Sequence, residues 1–168
     1  MKRIPLALLM AAALSACSPQ YDWRDYRSND APYAVMFPGK PASQTRAIKL
    51  GDLDVNMTMT AAEVDGVVFA VGSAQLPDAG RTPAAIEAMK TALVKNIGAA
   101  VTKSASSAAG GQTVLDVEAK GSQNGEPMLL IGRFIAKDTR VYQVIVMGRE
   151  KNIVRDTVET WFGSFKLN

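Results

Sequence analysis

Histidine is absent from this 168-residue sequence, and cysteine occurs once, at Cys17. A single thiol forms no intramolecular disulfide. Without imidazole there is no Cys/His zinc site, no histidine acid–base catalyst and no Ser-His or Cys-His nucleophile pair. Runs of lysine and arginine are missing as well, so nothing marks an electrostatic footprint for nucleic acid. The sequence also lacks a G-x-S-x-G elbow, an S-x-x-K motif, a Walker loop and a dinucleotide fingerprint. Gly110-Gly111 is not followed by Lys-Ser/Thr and is no phosphate cradle. The remainder, 48% apolar and 21% charged, falls in the ordinary globular range and predicts one folded core.

The first residues read as an address. Lys2 and Arg3 precede an apolar run, Ile4–Leu14, of 11 residues, and small residues follow up to Cys17. That is the three-part layout of a secretory signal peptide. The run is well short of the roughly 20 residues a membrane-spanning helix needs. Leu14-Ser15-Ala16-Cys17 is similar to the bacterial lipobox at all four positions. The similarity implies lipid transfer to the Cys17 sulfur, cleavage before it by signal peptidase II and acylation of the new amino terminus. A thiolate is the soft nucleophile such a transfer needs, and acylation would account for a lone cysteine in an oxidising compartment. Ser18, in place of aspartate, implies sorting to the outer membrane by the enterobacterial rule. Losing Lys2 and Arg3 with residues 1–16 leaves 17 of the 19 basic side chains against 16 acidic ones, a balance of +1.

From Ser18 to Pro32 no period is sustained, and residues 17–32 read as a lipidated tether with Tyr21, Trp23 and Tyr26 docking on the domain. The domain is expected to run over 33–168. Tyr33–Phe37 reads as a strand ended by Pro38-Gly39, and Ser43–Leu50 as a second strand turned at Gly51-Asp52. Leu53, Val55, Met57, Met59 and Ala61 alternate with polar residues, the pattern of a strand wet on one face. Val67–Gly72 is apolar on both faces, as in a central strand. Thr82-Pro83 predicts a cap and first helical residue, with Ile86, Met89, Leu93, Ile97 and Val101 at helical spacing. Ser104–Gly111 reads as a flexible loop. Strands at Thr113–Ala119, Met128–Ala136 and Arg140–Met147 form a meander. Ile153, Val154, Val158, Trp161, Phe162 and Phe165 then predict a closing helix whose apolar stripe faces the sheet. The expected class is α+β, an antiparallel sheet of six to seven strands flanked by helices.

Among candidate sites, the acidic pairs Asp52/Asp54, Asp116/Glu118 and Asp22/Asp25 are the nearest approach to carboxylate or metal chemistry. Turn and solvent-face roles account for them, and no metal or cofactor is expected. Met36, Met57, Met59, Met128 and Met147 fall mainly on strand faces and read as core. Arg133, Arg140 and Tyr142 could share one sheet face and contact an anion or a peptide.

Tyr33–Pro41, Val67–Val71, Gly132-Arg133-Phe134, Arg140-Val141-Tyr142-Gln143 and Trp161–Leu167 together resemble the bacterial PsbP-like/DcrB-like domains over roughly Tyr33 to Leu167. The resemblance implies a PsbP-like α/β/α sandwich and carries no catalytic pattern, so it favours binding or assembly over turnover. The expected function is a lipid-anchored, non-catalytic envelope module facing the periplasm from the outer membrane, held by acylated Cys17 and engaging an envelope protein. The alternatives are a small-ligand or lipid carrier with its groove between the sheet and the Thr82–Val101 helix, or, less favoured, a carboxylate-based hydrolase.

Overall fold

The structure, a computed structural model, describes residues 20–168. The expected signal peptide and the lipobox residues Leu14, Ser15, Ala16 and Cys17 lie outside the described residues. Ten strands and two α-helices follow in order: β1 (Arg24–Arg27), β2 (Tyr33–Phe37), β3 (Ala42–Leu50), β4 (Leu53–Val64), β5 (Val67–Gln75), α1 (Thr82–Asn96), β6 (Ala100–Ala109), β7 (Gln112–Gln123), β8 (Glu126–Lys137), β9 (Arg140–Arg149), α2 (Arg155–Ser164) and β10 (Lys166–Leu167). Seven of the strands form an antiparallel sheet in the order β3-β4-β5-β9-β8-β7-β6, and β1-β2-β10 form a small second sheet. The expected α+β class, with an antiparallel sheet of six to seven strands flanked by helices, is the architecture found, except that Tyr33–Phe37 joins the small second sheet and the seventh strand of the large one is β6.

Tight turns set the registers. Asp65-Gly66 and Asn124-Gly125 have positive φ at both residues, the backbone of the two-residue turn whose twist matches that of a hairpin. Through them β4 pairs β5 from Val64↔Val67 outward, and β7 pairs β8 from Gln123↔Glu126.

The central strands β5 and β9 are buried on both faces, and each face carries its own core. On one, Phe69, Val71, Tyr142, Val144 and Val146 pack with Val158 and Trp161 of α2 and with Tyr33, Val35 and Phe37 of β2. On the other, Met57 of the alternating strand packs with Ala74, Phe134 and Val141 against Ala85, Ile86 and Met89 of α1. The layers are therefore α1, the large sheet, and then α2 with the small sheet. Trp161 is fully buried, 4.9 Å from the Phe37 ring and 5.7 Å from Phe69 between centroids.

The structure departs from the sequence reading in four places. The stretch expected as a loop, Ser104–Gly111, is mostly strand. Ser104–Ala109 belong to β6, paired from Ser104↔Val117 to Ala109↔Gln112, and only Gly110-Gly111 turn. Serine and alanine are poor strand formers, but the β7 ladder satisfies their backbone, so pairing overrides propensity. The tether likewise enters the fold. Arg24–Arg27 pair with β2, and Tyr26 meets Phe37 edge-on at 5.5 Å. A four-residue edge strand with one inward aromatic leaves too short a pattern to read.

The first helix stops at Asn96 rather than Val101. Gly98 at φ +60 sends its N–H to the Lys95 carbonyl (3.0 Å), and Ala99 bonds to Val94 (3.0 Å), which is a Schellman stop. Its start is not capped by Thr82. A short 3₁₀ turn, Ala79–Arg81, leads in, with the Asp78 carboxylate accepting from Gly80 N–H (2.8 Å). Thr82 instead donates its hydroxyl to the Ala79 carbonyl (2.8 Å). At the other end of the chain Val154 is exposed and Phe165 lies past the end of α2, its ring stacked on Tyr33 at 5.6 Å.

Candidate functional site

Among the described residues β6 is the last strand of the large sheet, and it is exposed along its whole length. Beside it, under α2, lies an open hollow of about 330 Å³. Ile131 belongs to its sheet wall, and Val158 and Phe162 to its helix wall. Val158 and Phe162 stand one helical turn apart on α2, so the four-residue spacing that buries Val158 also brings Phe162 to the rim.

Ion pairs close the hollow's polar edge. Arg133 on β8 donates to Asp116 directly across on β7 (2.7 Å), and its guanidinium lies 5.5 Å over the Phe162 ring. Two residues along β7, Glu118 receives Arg155 from the start of α2 (2.8 Å) and Lys103 from β6 (3.4 Å). The Arg155 hydrogen bond outweighs the cost of partial burial and lowers the Glu118 pKa. The same bond raises that of Arg155. Asp116 and Glu118, an i, i+2 pair on one strand face, are thus structural clamps for two arginines.

Of the other acidic pairs, all members but the exposed Asp25 are engaged. Asp52 binds Arg81 (3.0 Å), which lowers its pKa, while Asp54 pairs with Lys49 (3.0 Å) and Asp22 with Arg24. Among the described residues no group of three or more His, Cys, Asp or Glu is placed to hold a metal. No helix among them is long and apolar enough to cross a membrane.

Arg133, Arg140 and Tyr142 do share the α2 face of the sheet, since Arg133↔Val144, Ile135↔Tyr142 and Lys137↔Arg140 are successive same-face pairs in the β8–β9 register. They do not converge on one site. Arg133 serves the hollow beside α2. Arg140 and Tyr142 line a separate hollow of about 210 Å³ at the tip of the β8–β9 hairpin, together with Lys137 and Thr139. Strand parity was readable from sequence. The ladder that separates these residues along the strands was not, nor were the Glu118–Arg155 clamp and the role of Phe162. Along the first half of α1 the groove expected between the sheet and the first helix is filled by Ile86 and Met89 packing on the sheet, a hollow of about 360 Å³ remains at the helix end beside Ile97, Met128 and Met147, and the mainly apolar hollow lies on the opposite face.

Taken together, the chain is an α+β module with an antiparallel sheet between helices and an open hollow at one sheet edge. The solution structure of the PsbP protein (CyanoP) of the cyanobacterium Synechocystis sp. PCC 6803 is similar to it, with a TM-score of 0.55 and 13% identity over 94% of this chain and 99% of that one. The likeness establishes a PsbP-like fold. A protein of unknown function, PA94, from Pseudomonas aeruginosa matches with a TM-score of 0.39 and 12% identity over 77% of this chain and 85% of its own, too distant to carry an argument. No protein-family model and no curated protein matches the sequence.

Proposed function

We propose that this chain is a bacterial envelope lipoprotein carrying a PsbP-like, DcrB-like domain, a non-catalytic module held by acylated Cys17 on the periplasmic face of the outer membrane. It binds another envelope protein by accepting an extended segment of that partner along β6. The observation that carries this reading is the union of an exposed strand edge, unpaired among the described residues, with a mainly apolar hollow. A polypeptide is the ligand whose chemistry satisfies both, since its main chain completes the ladder and its alternate side chains enter the hollow. Self-pairing is less suited to this edge. From Ser104 to Ala109 β6 offers only serine and alanine side chains, which bury little apolar area against a second copy of themselves. The carboxylates on the sheet wall already hold arginines, which supports binding rather than turnover.

Two measurements test the reading. Cys17→Ser should accumulate unprocessed precursor without an acyl mass, and mature-sized, membrane-bound protein from that variant would remove the anchor. A photo-crosslinking residue at Ala105 should capture a defined envelope protein in cells, while one at Glu87 on α1 should not. A small-ligand carrier is the second reading, favoured by the size and apolar lining of the same hollow. An apolar molecule copurifying with the protein in native mass spectrometry, with no crosslink at Ala105, would select it.

A further inference from the structure

Two large apolar side chains stand exposed among the described residues, Val101 (44%) and Val154 (45%), and both lie toward one end of the domain. Val154 immediately precedes α2. Two residues before it, the Asn152 side-chain amide donates to the Asp65 carbonyl in the β4–β5 turn (3.1 Å). Arg155, directly after it, holds Glu118, and Glu118 also takes Lys103, two residues beyond Val101 on β6. A row of contacts thus ties both valines to the end of the sheet where β4 turns into β5.

The start of the described chain is fixed at the same end. Gln20 donates to the Asp65 carboxylate (2.7 Å), and the Asp22 N–H donates to the Pro38 carbonyl (3.1 Å). Pro38 belongs to this end too, since a Cβ added at its neighbour Gly39 would meet Val64, the last residue of β4, at 3.5 Å. Tyr21 and Trp23 flank the point as a half-buried ring pair at 6.1 Å. Gln20 is three residues from Cys17, a reach of at most about 11 Å. A bilayer that holds acylated Cys17 therefore comes close to the β4–β5 turn, and this step rests on the proposed anchor.

The charges at this end are largely spent on one another. Arg24 holds Asp22, Lys120 holds Glu150, Lys151 holds Glu126, and Arg155 and Lys103 share Glu118. Such a surface has little pull on anionic lipid, so a contact with the bilayer has to come from apolar side chains. The geometry points to a membrane-docking face: with Cys17 in the bilayer, the β4–β5 turn end of the domain rests on the headgroups, with Val101 and Val154 among them as a second, apolar attachment beside the acyl chains. Gln75, at the far end of the nine-residue strand β5, then stands about 25–30 Å further from the membrane than the turn.

The test uses the acylated full chain, purified from membranes and reconstituted into phosphatidylcholine vesicles that carry a nitroxide-headgroup lipid as quencher. A thiol-reactive fluorophore is attached through Glu63→Cys near the β4–β5 turn or through Gln75→Cys at the far end, since acylated Cys17 offers no thiol. Quenching at position 63 is expected to exceed that at position 75 severalfold, and to stay the same when phosphatidylglycerol is added to the vesicles. Val101→Ser combined with Val154→Ser should cut the quenching at position 63 by about half or more while the melting temperature holds, because both side chains are exposed. Equal quenching at the two labels, no effect of the double substitution, or a requirement for anionic lipid would overturn the docking face. Flotation of the vesicles is read first and separates the two readings. A chain that does not float has no anchor, and the docking face falls with it; a chain that floats and is quenched equally at both positions has the anchor without the face.

Discussion

The rings of Phe37 and Trp161 lie 4.9 Å apart at 53°, and through this contact the small sheet and α2 hold each other over the large sheet. Both side chains are fully buried. Trp161→Ala removes the largest side chain of this core and should cost about 3–5 kcal/mol, a large part of an ordinary domain stability of roughly 5–15 kcal/mol. The indole Nε1 is buried without an acceptor among the described residues. Trp161→Phe therefore sacrifices packing but no hydrogen bond, and should be much milder than Trp161→Ala. Denaturant unfolding followed by circular dichroism reads both, and equal losses would show that the indole nitrogen has a partner.

Tyr26 extends this cluster into the segment that reads as a tether. Its ring meets Phe37 and Tyr33, and its strand pairs with β2. Tyr26→Ala should lower stability by about 1–3 kcal/mol, whereas Asp25→Ala, on the exposed face of the same strand, should change it by less than about 0.5 kcal/mol. An unaltered melting temperature for Tyr26→Ala would make β1 a loosely docked appendage.

How much of this was legible follows from how far each signal reaches along the chain. Ile86, Met89 and Leu93 announce α1 because helical spacing is local, and Asp65-Gly66 and Asn124-Gly125 announce hairpins because their backbone demand is local too. β6 was hidden because Ser104–Ala109 have no strand preference of their own, and the partner that fixes them is β7. The end of α1 could have been drawn at Gly98, since a glycine just past the last periodic residues is a stop signal. For the sites, parity put Arg133, Arg140 and Tyr142 on one face, but whether residues on one face meet depends on the ladder between strands. Glu118 and Arg155 are 37 positions apart, and only α2 folding back over β7 joins them.

That clamp has a pH signature. Arg155 holds the Glu118 carboxylate below its ordinary pKa, so the folded chain binds fewer protons there than the unfolded one. The stabilisation is complete above the ordinary glutamate value of about 4.3 and disappears as pH falls through the lowered folded value. Glu118→Gln should therefore be less stable than the wild type near neutrality, with the difference shrinking below about pH 4. Thermal melts from pH 7 to pH 3 check this, and a gap that widens toward acid would mean that Glu118 does not act through its charge.

The edge of β6 gives the sharpest test of strand addition. Natural sheets guard their edges with charged residues, and Lys103 is the single charge on this strand, next to the irregularity between Val101 and Lys103. The opposite edge strand, β3, carries Arg46 and Lys49. Beyond Lys103 the run to Ala109 is left unguarded beside the hollow. Ser107→Lys places a charge in its middle at an exposed position, where folding stability should change by less than about 0.5 kcal/mol. An incoming strand would have to desolvate that ammonium, so crosslinking from Ala105 should fall by about tenfold while the melting temperature holds. Thr45→Lys on β3 should leave the crosslink intact. If Ser107→Lys crosslinks like the wild type, the partner does not add to the sheet, and the hollow beside Phe162 must receive its ligand without help from the backbone of β6.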